Sequence, residues 1–336
     1  MEMQDDSPLR VVSIGGGTGL SSVLQGLKQY ARPTGAGAPA IDITAIVTVT
    51  DDGGSSGRLR REFDVLPPGD IRNCMVALSE DSALLSRLFQ YRFQSGRGLK
   101  GHSFGNLFLT ALTHILGDFP DAVKASSEVL KIAGRIYPST VANVSLEATL
   151  ANGKIIKGES RISRGQQRIQ SVRLHPRKVA PLPAALTAIA EADVITLGPG
   201  SLFTSIVPNL LVDGIASAIR SSPALKCYFV NLMWQPGETD EFSASDHVRV
   251  LHRHGGGKFL DYAVVNVRSI TSTLRKRYAR QDAMPVENDV DAMLKMGLKV
   301  MAGNLSSNTD KVRHDSAETA AVVVRLAAEG RRRKNA

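Results

Sequence analysis

Along the chain, short apolar runs alternate with longer stretches that carry apolar residues every three or four positions. Residues 9–14 form a short apolar run, and a glycine-rich segment separates it from Leu20, Val23, Leu24 and Leu27 at helical spacing. A buried strand, a tight loop and an amphipathic helix produce this pattern. The start of the chain is therefore predicted to be a strand, a loop and a helix in that order.

The same rhythm of strand and helix recurs in both halves of the chain. Residues 41–49 predict a second strand after a Pro/Gly/Ala loop at 32–40, and Asp70 is the predicted N-cap of the helical stretch that follows. The same patterns predict strands at 193–197, 228–232 and 262–267, and helices within 70–117 and at 121–133, 184–190 and 316–329. Strands that alternate with helices favour an α/β fold, here a doubly wound, mostly parallel sheet with helices on both faces. We expect residues 9–330 to form one extended domain rather than two closely packed ones.

In the middle of the chain the apolar period changes to two. Residues 144–150 and 154–160 flank an Asn-Gly pair at 152–153, which is typical of a type I′ hairpin turn, and residues 169–174 are expected to add a third strand. The α/β rhythm then resumes. We therefore interpret this stretch, at about residues 135–178, as a small antiparallel β insertion rather than a separate domain.

Composition agrees with this fold class and narrows the location of the protein. Hydrophobic residues make up 43% of the 336 residues and aromatic residues only 5%, as expected for buried parallel strands covered by helices. Cys74 and Cys227 stand far apart and outside any CxxC spacing, so we expect neither disulfides nor a zinc site. Residues 1–8 are acidic and polar and are expected to be flexible, and no apolar run approaches the roughly 18 residues of a membrane span. We expect a cytoplasmic protein without a membrane span.

The formal net charge of +9 raises the question of nucleic-acid binding. Four positive charges stand together at residues 331–334, where we expect a solvated basic C-terminal tail covering 331–336. The remaining excess is spread along the chain, without the interleaved aromatic and basic residues of a stacking platform. The charge pattern therefore does not favour a nucleic-acid partner.

The strongest candidate chemistry lies in glycine-rich loops at the predicted carboxyl ends of strands. Residues 15–19 follow the first strand and open the first helix, so their backbone N–H groups are placed to hold phosphate oxygens. The dinucleotide fingerprint is imperfect, because its third glycine position falls on Leu20 or Ser22, depending on the register. We predict phosphate binding rather than a standard NAD site; the alternative is that these glycines only form a tight turn. Residues 198–201 repeat the arrangement and are expected to contact the same ligand.

Other polar groups also follow strands or open helices. Asp51 and Asp52 end the second strand, where a carboxylate can bind a sugar hydroxyl or a Mg²⁺ ion held by phosphates, although an ordinary Asp-Gly turn is the alternative. His102 and Asn106 open an apolar helix, and a capping or packing role is favoured for them over acid–base catalysis. Residues 231–240 form a loop rich in amide, hydroxyl and carboxylate groups, which could bind a base or a sugar.

Six motifs occur together in a fixed order, namely GGGTGL at 15–20, TDDGGSSG at 50–57, PPGDIRN at 67–73, GHSFGNL at 101–107, GPGSLFTS at 198–205 and QPGETD at 235–240. In combination they resemble the CofD-like superfamily, and more closely its YvcK branch, the gluconeogenesis factors. The resemblance extends from about residue 9 to residue 329, and it implies a Rossmann-like fold.

The resemblance also implies two functions. CofD enzymes transfer a phospholactyl group from a nucleotide-activated donor to a deazaflavin with the help of magnesium, whereas YvcK-like proteins bind UDP-sugars and are associated with gluconeogenic growth, cell shape and cell-wall precursor supply. We expect a UDP-sugar-binding regulatory protein, for UDP-GlcNAc or UDP-glucose, with no assigned catalytic residue and no certain cofactor. The alternative is a magnesium-dependent 2-phospho-L-lactate transferase-like enzyme. A homodimer and protein partners in cell-wall synthesis or regulation are further expectations.

The motifs carry the family's site over to this chain. The first glycine loop would hold the diphosphate, and Asp51 and Asp52 would face the nucleotide or a metal. Asn106 and residues 198–201 would line the same cleft, and Gln235, Thr239 and Phe242 would flank the uridine. The expected nucleotide-sugar-binding residues are Gly15, Gly16, Gly17, Thr18, Gly19, Leu20, Asp51, Asp52, Asn73, His102, Ser103, Asn106, Gly198, Pro199, Gly200, Ser201, Asn231, Gln235, Thr239 and Phe242. Two positions depart from the branch, since Trp234 stands where a small hydroxyl residue is expected and Glu241 where glycine is expected.

Overall fold

The computed structural model of the chain describes residues 7–31, 41–80, 83–165, 167–308 and 310–336. Two predictions lie outside these ranges: the loop at 32–40 and most of the N-terminal segment at 1–8. Ser7 and Pro8 lie within them and are exposed.

The described residues form twelve β-strands, which we number in chain order. They are β1 (Leu9–Gly15), β2 (Ile41–Val47), β3 (Arg135–Pro138), β4 (Ser145–Leu150), β5 (Ile155–Lys157), β6 (Ile169–His175), β7 (Val194–Leu197), β8 (Leu225–Phe229), β9 (Tyr262–Asn266), β10 (Lys299–Gly303), β11 (Ser306–Asn308) and β12 (Val312–His314).

Fourteen α-helices connect these strands in the same part of the chain. They are α1 (Gly17–Leu27), α2 (Gly54–Phe63), α3 (Gly69–Leu78), α4 (Ala83–Gln90), α5 (Phe104–Leu116), α6 (Phe119–Leu130), α7 (Glu159–Ile162), α8 (Pro183–Glu191), α9 (Val207–Leu210), α10 (Ile215–Ser221), α11 (Ala244–His254), α12 (Ser272–Ala279), α13 (Val290–Lys295) and α14 (Ser316–Asn335). A 3₁₀ turn at Lys28–Tyr30 follows α1, and a π-helical turn at Leu202–Ile206 precedes α9.

Seven parallel strands form the central sheet, in the order β10-β9-β8-β7-β1-β2-β3. The chain runs outward from β1 to β2 and β3, and then returns to the other side of β1 with β7. This is the doubly wound order of a Rossmann-like sheet with one additional strand, and helices surround it. The predicted α/β fold class is confirmed. Because the strand order reverses between β1 and β7, a crevice opens there at the carboxyl ends of the strands.

The antiparallel insertion is smaller than predicted. Strands β5, β4 and β6 form a separate three-stranded antiparallel sheet between residues 145 and 175. Residues 135–138, which we assigned to the insertion, instead form β3 at the edge of the main sheet, parallel to β2. The hairpin turn is not of type I′. That type requires a positive φ at both central residues, and here only Gly153 has one.

The C-terminal basic run is part of the fold and not a solvated tail. Helix α14 continues through Asn335, and Arg331 and Lys334 on it form ion pairs with Asp193, whose side chain is fully buried. The Arg331 guanidinium also donates hydrogen bonds to the carbonyl oxygens of Ser7 and Pro8. The run therefore attaches the last helix to the start of the chain and to β7.

No single helix in the described residues is long and apolar enough to cross a membrane. One sharply bent pair of helices, Leu202–Leu210 and Ile215–Ser221, is together long and apolar enough for a span. Its apolar side chains belong to the core, since Leu202, Ile206 and Ile215 are fully buried.

Candidate functional site

A cleft of about 1010 Å³ lies where β1, β2, β7 and β8 end, at the reversal of strand order. Loops from both halves of the chain line it. Of the expected site residues, the cleft is lined by Gly16, Gly17, Thr18, Gly19, Asp51, Asn73, Pro199, Gly200, Ser201, Asn231 and Gln235. Residues separated by more than 200 positions in sequence are thus adjacent in space, as a ligand spanning the crevice would require.

The first glycine loop provides an anion site at the start of α1. Gly16 is extended, and α1 begins at Gly17 with a φ of +63°, a conformation that favours glycine. Gly19 is required for a different reason, because a Cβ on this residue would lie 2.3 Å from the carbonyl oxygen of Pro199. The two glycine loops are therefore in close backbone contact. No residue in the first turn of α1 is acidic, and apart from the Gly17 N–H, which bonds to Asp70, the N–H groups of this turn and the helix dipole can interact with a phosphate.

The second glycine loop is held by the polar loop after β8. The Nε2 of Gln235 donates a hydrogen bond of 2.6 Å to the Ser201 Oγ, and the Nδ2 of Asn231 donates to the Gln235 Oε1 at 3.2 Å. The Thr239 Oγ1 accepts a hydrogen bond from the Gln235 backbone N–H at 2.9 Å. The Asn231 Oδ1 is buried and has no hydrogen-bond partner among the described residues.

Three carboxylates face the cleft close to the phosphate loop. The Asp51 Oδ1 accepts a hydrogen bond from the Gly53 N–H at 2.9 Å, and Asp70 accepts one from the Gly17 N–H. Burial, with a further contribution from Asp51, raises the pKa of Asp70 to about 7. Burial and the nearby Asp51 and Asp52 also raise the pKa of Glu159. The cleft thus combines amide donors for an anion with carboxylates that can bind hydroxyl groups or a cation.

Asp70 does not cap α3, contrary to the sequence prediction. The helix begins one residue earlier, at Gly69, and Pro68 takes the N-cap position. The Asp70 side chain points instead toward the first glycine loop, where a Cβ on Gly16 would lie 2.7 Å from its Oδ2.

The β insertion contributes to the site through the short helix α7. The Ser160 N–H and Oγ both donate hydrogen bonds to Asp52, at 2.8 and 2.6 Å. The Ser163 Oγ donates to the buried Glu238 at 3.3 Å, and burial raises the pKa of Glu238 to about 7. The insertion therefore supports the loops that follow β2 and β8, and it places Glu159 at the cleft.

Nine of the expected residues lie outside the lining of the cleft. Gly15 is the last residue of β1, Leu20 is fully buried in the core, and Gly198 precedes the residues of its loop that reach the cleft. Asp52 is held by Ser160, and Thr239 supports Gln235 from behind. These residues shape the cleft from within the fold.

The GHSFGNL segment also lies behind the cleft. His102 is buried and its Nδ1 pairs with the Ser55 Oγ at 3.0 Å, while Asn106 donates to the Ser56 Oγ at 3.4 Å. The buried Ser103 donates to the Phe89 carbonyl oxygen. The segment thus packs against the start of α2, directly after Asp51.

Phe242 is the ninth of these residues. It lines a separate cavity of about 410 Å³ between the insertion and α11, where the Arg168 guanidinium lies 5.5 Å from the centre of its ring.

Sequence reasoning missed a second group of lining residues. The cleft is also lined by Gln25, Lys28, Thr48, Thr50, Asp70, Glu159, Thr204, Ser205, Trp234, Tyr278, Arg313 and His314. Glu159 and Arg313 lie in segments without any glycine-rich signal, so only the tertiary fold brings them to the cleft. Burial lowers the pKa of His314 to about 4, so this imidazole is neutral at physiological pH.

The side chains alone do not form a complete metal site. Among the described residues, no group of three or more His, Cys, Asp or Glu side chains is arranged to hold a metal ion. A magnesium ion commonly binds one or two carboxylates together with substrate phosphates and water. Asp51 and Asp70, beside a predicted phosphate position, could provide such a partial ligand set.

Comparisons with known proteins identify the family. The model of the family described as 2-phospho-L-lactate transferase CofD matches residues 11–306. The chain is 46% identical to the gluconeogenesis factor of Bacillus subtilis over 321 residues, which cover 95% of this chain and 98% of that protein. It is 44% identical to the gluconeogenesis factor of Halalkalibacterium halodurans over 315 residues, covering 94% and 95% of the two chains.

Solved structures agree with this assignment. The crystal structure of a protein from Bacillus halodurans superposes on the chain with a TM-score of 0.90 at 43% identity. The superposition covers 95% of this chain and all of that one. With a family model matched over most of its length and relatives of this identity over almost their entire length, the chain belongs to the CofD family and, within it, to the gluconeogenesis factors.

Proposed function

We propose that the cleft binds a UDP-sugar, UDP-GlcNAc or UDP-glucose, and that the protein acts as a regulatory sensor of this ligand. The observation that carries the proposal is the meeting of two glycine loops at the reversal of strand order, where Gly19 and Pro199 are in close contact. A diphosphate at the start of α1 would lie between the halves of the sheet, and the two ends of the ligand would extend to either side of it.

The remaining walls of the cleft suit the two ends of such a ligand. Carboxylate and amide groups of Asp51, Asp70 and Asn73 lie on the β2 side, where they can bond to sugar hydroxyls. The loop after β8 provides amide groups and an aromatic ring on the other side. The volume of about 1010 Å³ is at the upper end of the usual range for small-molecule sites, which suits an extended nucleotide-sugar.

Thermal-shift titration tests the proposal directly, because a ligand that binds only the native state must raise the melting temperature. We expect UDP-GlcNAc or UDP-glucose to stabilise the protein without magnesium. Gly17→Val should abolish this shift, since valine is strained at a φ of +63° and the first turn of α1 would be displaced.

A matched control is Gly153→Val at the tip of the β insertion. It imposes the same kind of strain, at a φ of +81°, but in open space and outside the lining of the cleft. It should therefore keep the full ligand-induced shift. A wild-type ligand response in Gly17→Val would refute the site, and the absence of any response to UDP-sugars in the unmodified protein would refute the function.

The second candidate is a magnesium-dependent transferase that acts on a nucleotide-activated donor and a deazaflavin. The carboxylate pair of Asp51 and Asp70 favours it, because both line the cleft beside the phosphate loop. In this role the two carboxylates would hold magnesium, and the ion would neutralise the charge of the donor phosphates. Stabilisation by GTP or a deazaflavin only in the presence of magnesium, without a response to UDP-sugars, would favour this candidate.

For the cellular role, we propose a cytoplasmic protein that supports cell shape and cell-wall precursor supply during growth on gluconeogenic carbon sources. The relatives named gluconeogenesis factors support its link with growth on gluconeogenic carbon sources. A homodimer and protein partners of cell-wall synthesis are part of the same proposal. Loss of the gene should then impair growth on gluconeogenic carbon sources, and the Gly17→Val variant should fail to restore it.

A further inference from the structure

A second pocket, of about 410 Å³, lies between the β insertion and α11. It shares no lining residue with the cleft, and its volume lies within the usual range for small-molecule sites. Its two walls approach each other at the level of their arginines. The Arg253 Nη1 on α11 donates a hydrogen bond of 3.4 Å to the Gln170 carbonyl oxygen of the insertion, and the Arg168 guanidinium of the insertion lies 5.5 Å from the centre of the Phe242 ring.

The floor of this pocket is apolar and fixed. Ile169, Phe242 and Val250 line it, and each is more than nine-tenths buried. The Phe242 backbone is held on both sides, because its N–H donates to the Thr239 carbonyl oxygen at 3.2 Å and its carbonyl oxygen accepts from the Trp234 Nε1 at 3.1 Å. A ligand that packs on this floor therefore meets a preformed surface, and little conformational freedom is lost on binding.

The rim of the pocket is positively charged. Arg168, Arg249 and Arg253 line it with exposed side chains. Asp246 is the one acidic residue among the described lining residues, and its carboxylate already accepts hydrogen bonds from the Ser243 N–H and Oγ at 3.0 Å and pairs with Arg249 at 2.6 Å. Within the part of the chain that the structure describes, Arg168 and Arg253 form no ion pair with a carboxylate. Two guanidinium groups, one from each wall, are thus available to an anion.

We propose that this pocket binds a small phosphomonoester. Three arginines and one aspartate give the lining a net formal charge of +2, and a phosphomonoester carries about −2 near neutral pH. A guanidinium donates two parallel N–H groups to phosphate oxygens, so Arg168 and Arg253 hold the phosphate from the two walls. The body of the ligand packs on the floor at Phe242 and Val250. The site is separate from the cleft and does not depend on the ligand bound there.

Phenyl phosphate is a suitable probe, because it joins a phosphomonoester to an apolar ring. We expect calorimetry to detect its binding to the full chain, and benzoate, with the same ring and a single negative charge, to bind about tenfold more weakly or less. Arg168→Gln and Arg253→Gln should each weaken the binding of phenyl phosphate by about fivefold or more. Arg177→Gln removes the same charge from an exposed position outside the pocket and should keep the affinity within about twofold.

The phosphate loop of the cleft could also attract the probe, and Gly17→Val separates the two sites. This substitution displaces the first turn of α1 and should leave the affinity for phenyl phosphate within about twofold, because Gly17 does not line the second pocket. Loss of binding in Gly17→Val, with full binding in both arginine variants, would place the anion in the cleft and overturn the proposal. Equal affinities for benzoate and phenyl phosphate, or no detectable binding of phenyl phosphate, would overturn it as well. Because the substituted arginines are exposed, their variants are expected to fold, and melting temperatures without ligand check this.

Discussion

At the residue scale, Asp70 is the most informative side chain of the site. It accepts a hydrogen bond from Gly17, beside the predicted position of the diphosphate, and its pKa is raised to about 7 by burial and by Asp51. Below pH 7 the carboxyl is mostly protonated and does not repel an anion. Above pH 7 it is ionised, so binding of a diphosphate without a metal should weaken as the pH rises.

We therefore predict that UDP-GlcNAc binds roughly threefold to tenfold more tightly at pH 6 than at pH 8 in the absence of magnesium. Asp70→Asn should remove this dependence, because the amide is neutral throughout and can still accept from Gly17. Calorimetry at the two pH values measures the effect. Glu238→Gln is the control, since Glu238 has a pKa raised to a similar value but does not line the cleft. A pH dependence that persists in Asp70→Asn would contradict the assignment.

The raised pKa of Asp70 also affects the free energy of unfolding. An unfolded chain releases the Asp70 proton near the ordinary pKa of 3.8, whereas the native state retains it until about 7. Raising the pH through this window therefore lowers the free energy of unfolding. In Asp70→Asn this part of the loss, up to about 4 kcal/mol, should be absent from urea unfolding curves.

At the element scale, the sequence predicts the buried strands well, although it places β8 three residues too far along the chain, and it predicts the edges of the sheet poorly. Strands β1, β2 and β7 are mostly apolar and almost entirely buried, because neighbours cover them on both faces. Strand β3 has only four residues and ends in Pro138, which an edge position tolerates, so no apolar period identifies it. Strands β11 and β12 have three residues each and are mostly polar, and they too are invisible to periodicity.

The residues of the site also differ in how well the sequence predicts them. The glycine loops are predictable because the requirement is local: a loop must follow a strand and open a helix. The placement of Asp70 and Glu159 depends on how α3 and the insertion pack, which the sequence pattern does not contain. His102 and Asn106 belong to a motif in the correct region of the fold, but their side chains point toward the serines of α2 rather than into the cleft.

The end of helix α14 provides a prediction at this scale. Asp193 is fully buried, and burial would raise its pKa, but hydrogen bonds from Arg331 and the Arg10 N–H outweigh burial and hold the pKa below its ordinary value. Removing one partner of a buried charge is strongly destabilising. Arg331→Ala should therefore lower the free energy of unfolding by about 3 kcal/mol at neutral pH, and by less in acid, where Asp193 becomes protonated.

Urea unfolding of matched variants checks this prediction. Arg332→Ala removes a neighbouring positive charge from an exposed position of the same helix and should change the free energy of unfolding by less than about 0.5 kcal/mol. Equal effects of the two substitutions would mean that the basic run acts only through its overall charge.

At the scale of the whole molecule, the cleft is a junction between two halves of one sheet. The first half contributes the loop after β1 and the second half contributes the loops after β7 and β8, and a backbone contact at Gly19 and Pro199 joins them. A ligand that spans this junction should restrain all three loops at once, because none of them alone contacts both of its ends. A ligand that uses only the phosphate loop should restrain that loop alone.

Hydrogen exchange distinguishes these cases. With saturating UDP-GlcNAc we expect slower amide exchange in peptides that cover residues 15–22, 198–206 and 231–237, since local opening of these loops would require the ligand to dissociate. The tip of the β insertion at 151–154 does not line the cleft and serves as the internal control. Protection confined to residues 15–22 would mean that the ligand is held by its phosphates only, and the two halves would then not be coupled through it. Protection of all three segments would make the junction itself the element that senses the ligand, because occupancy would alter the stability of both halves together.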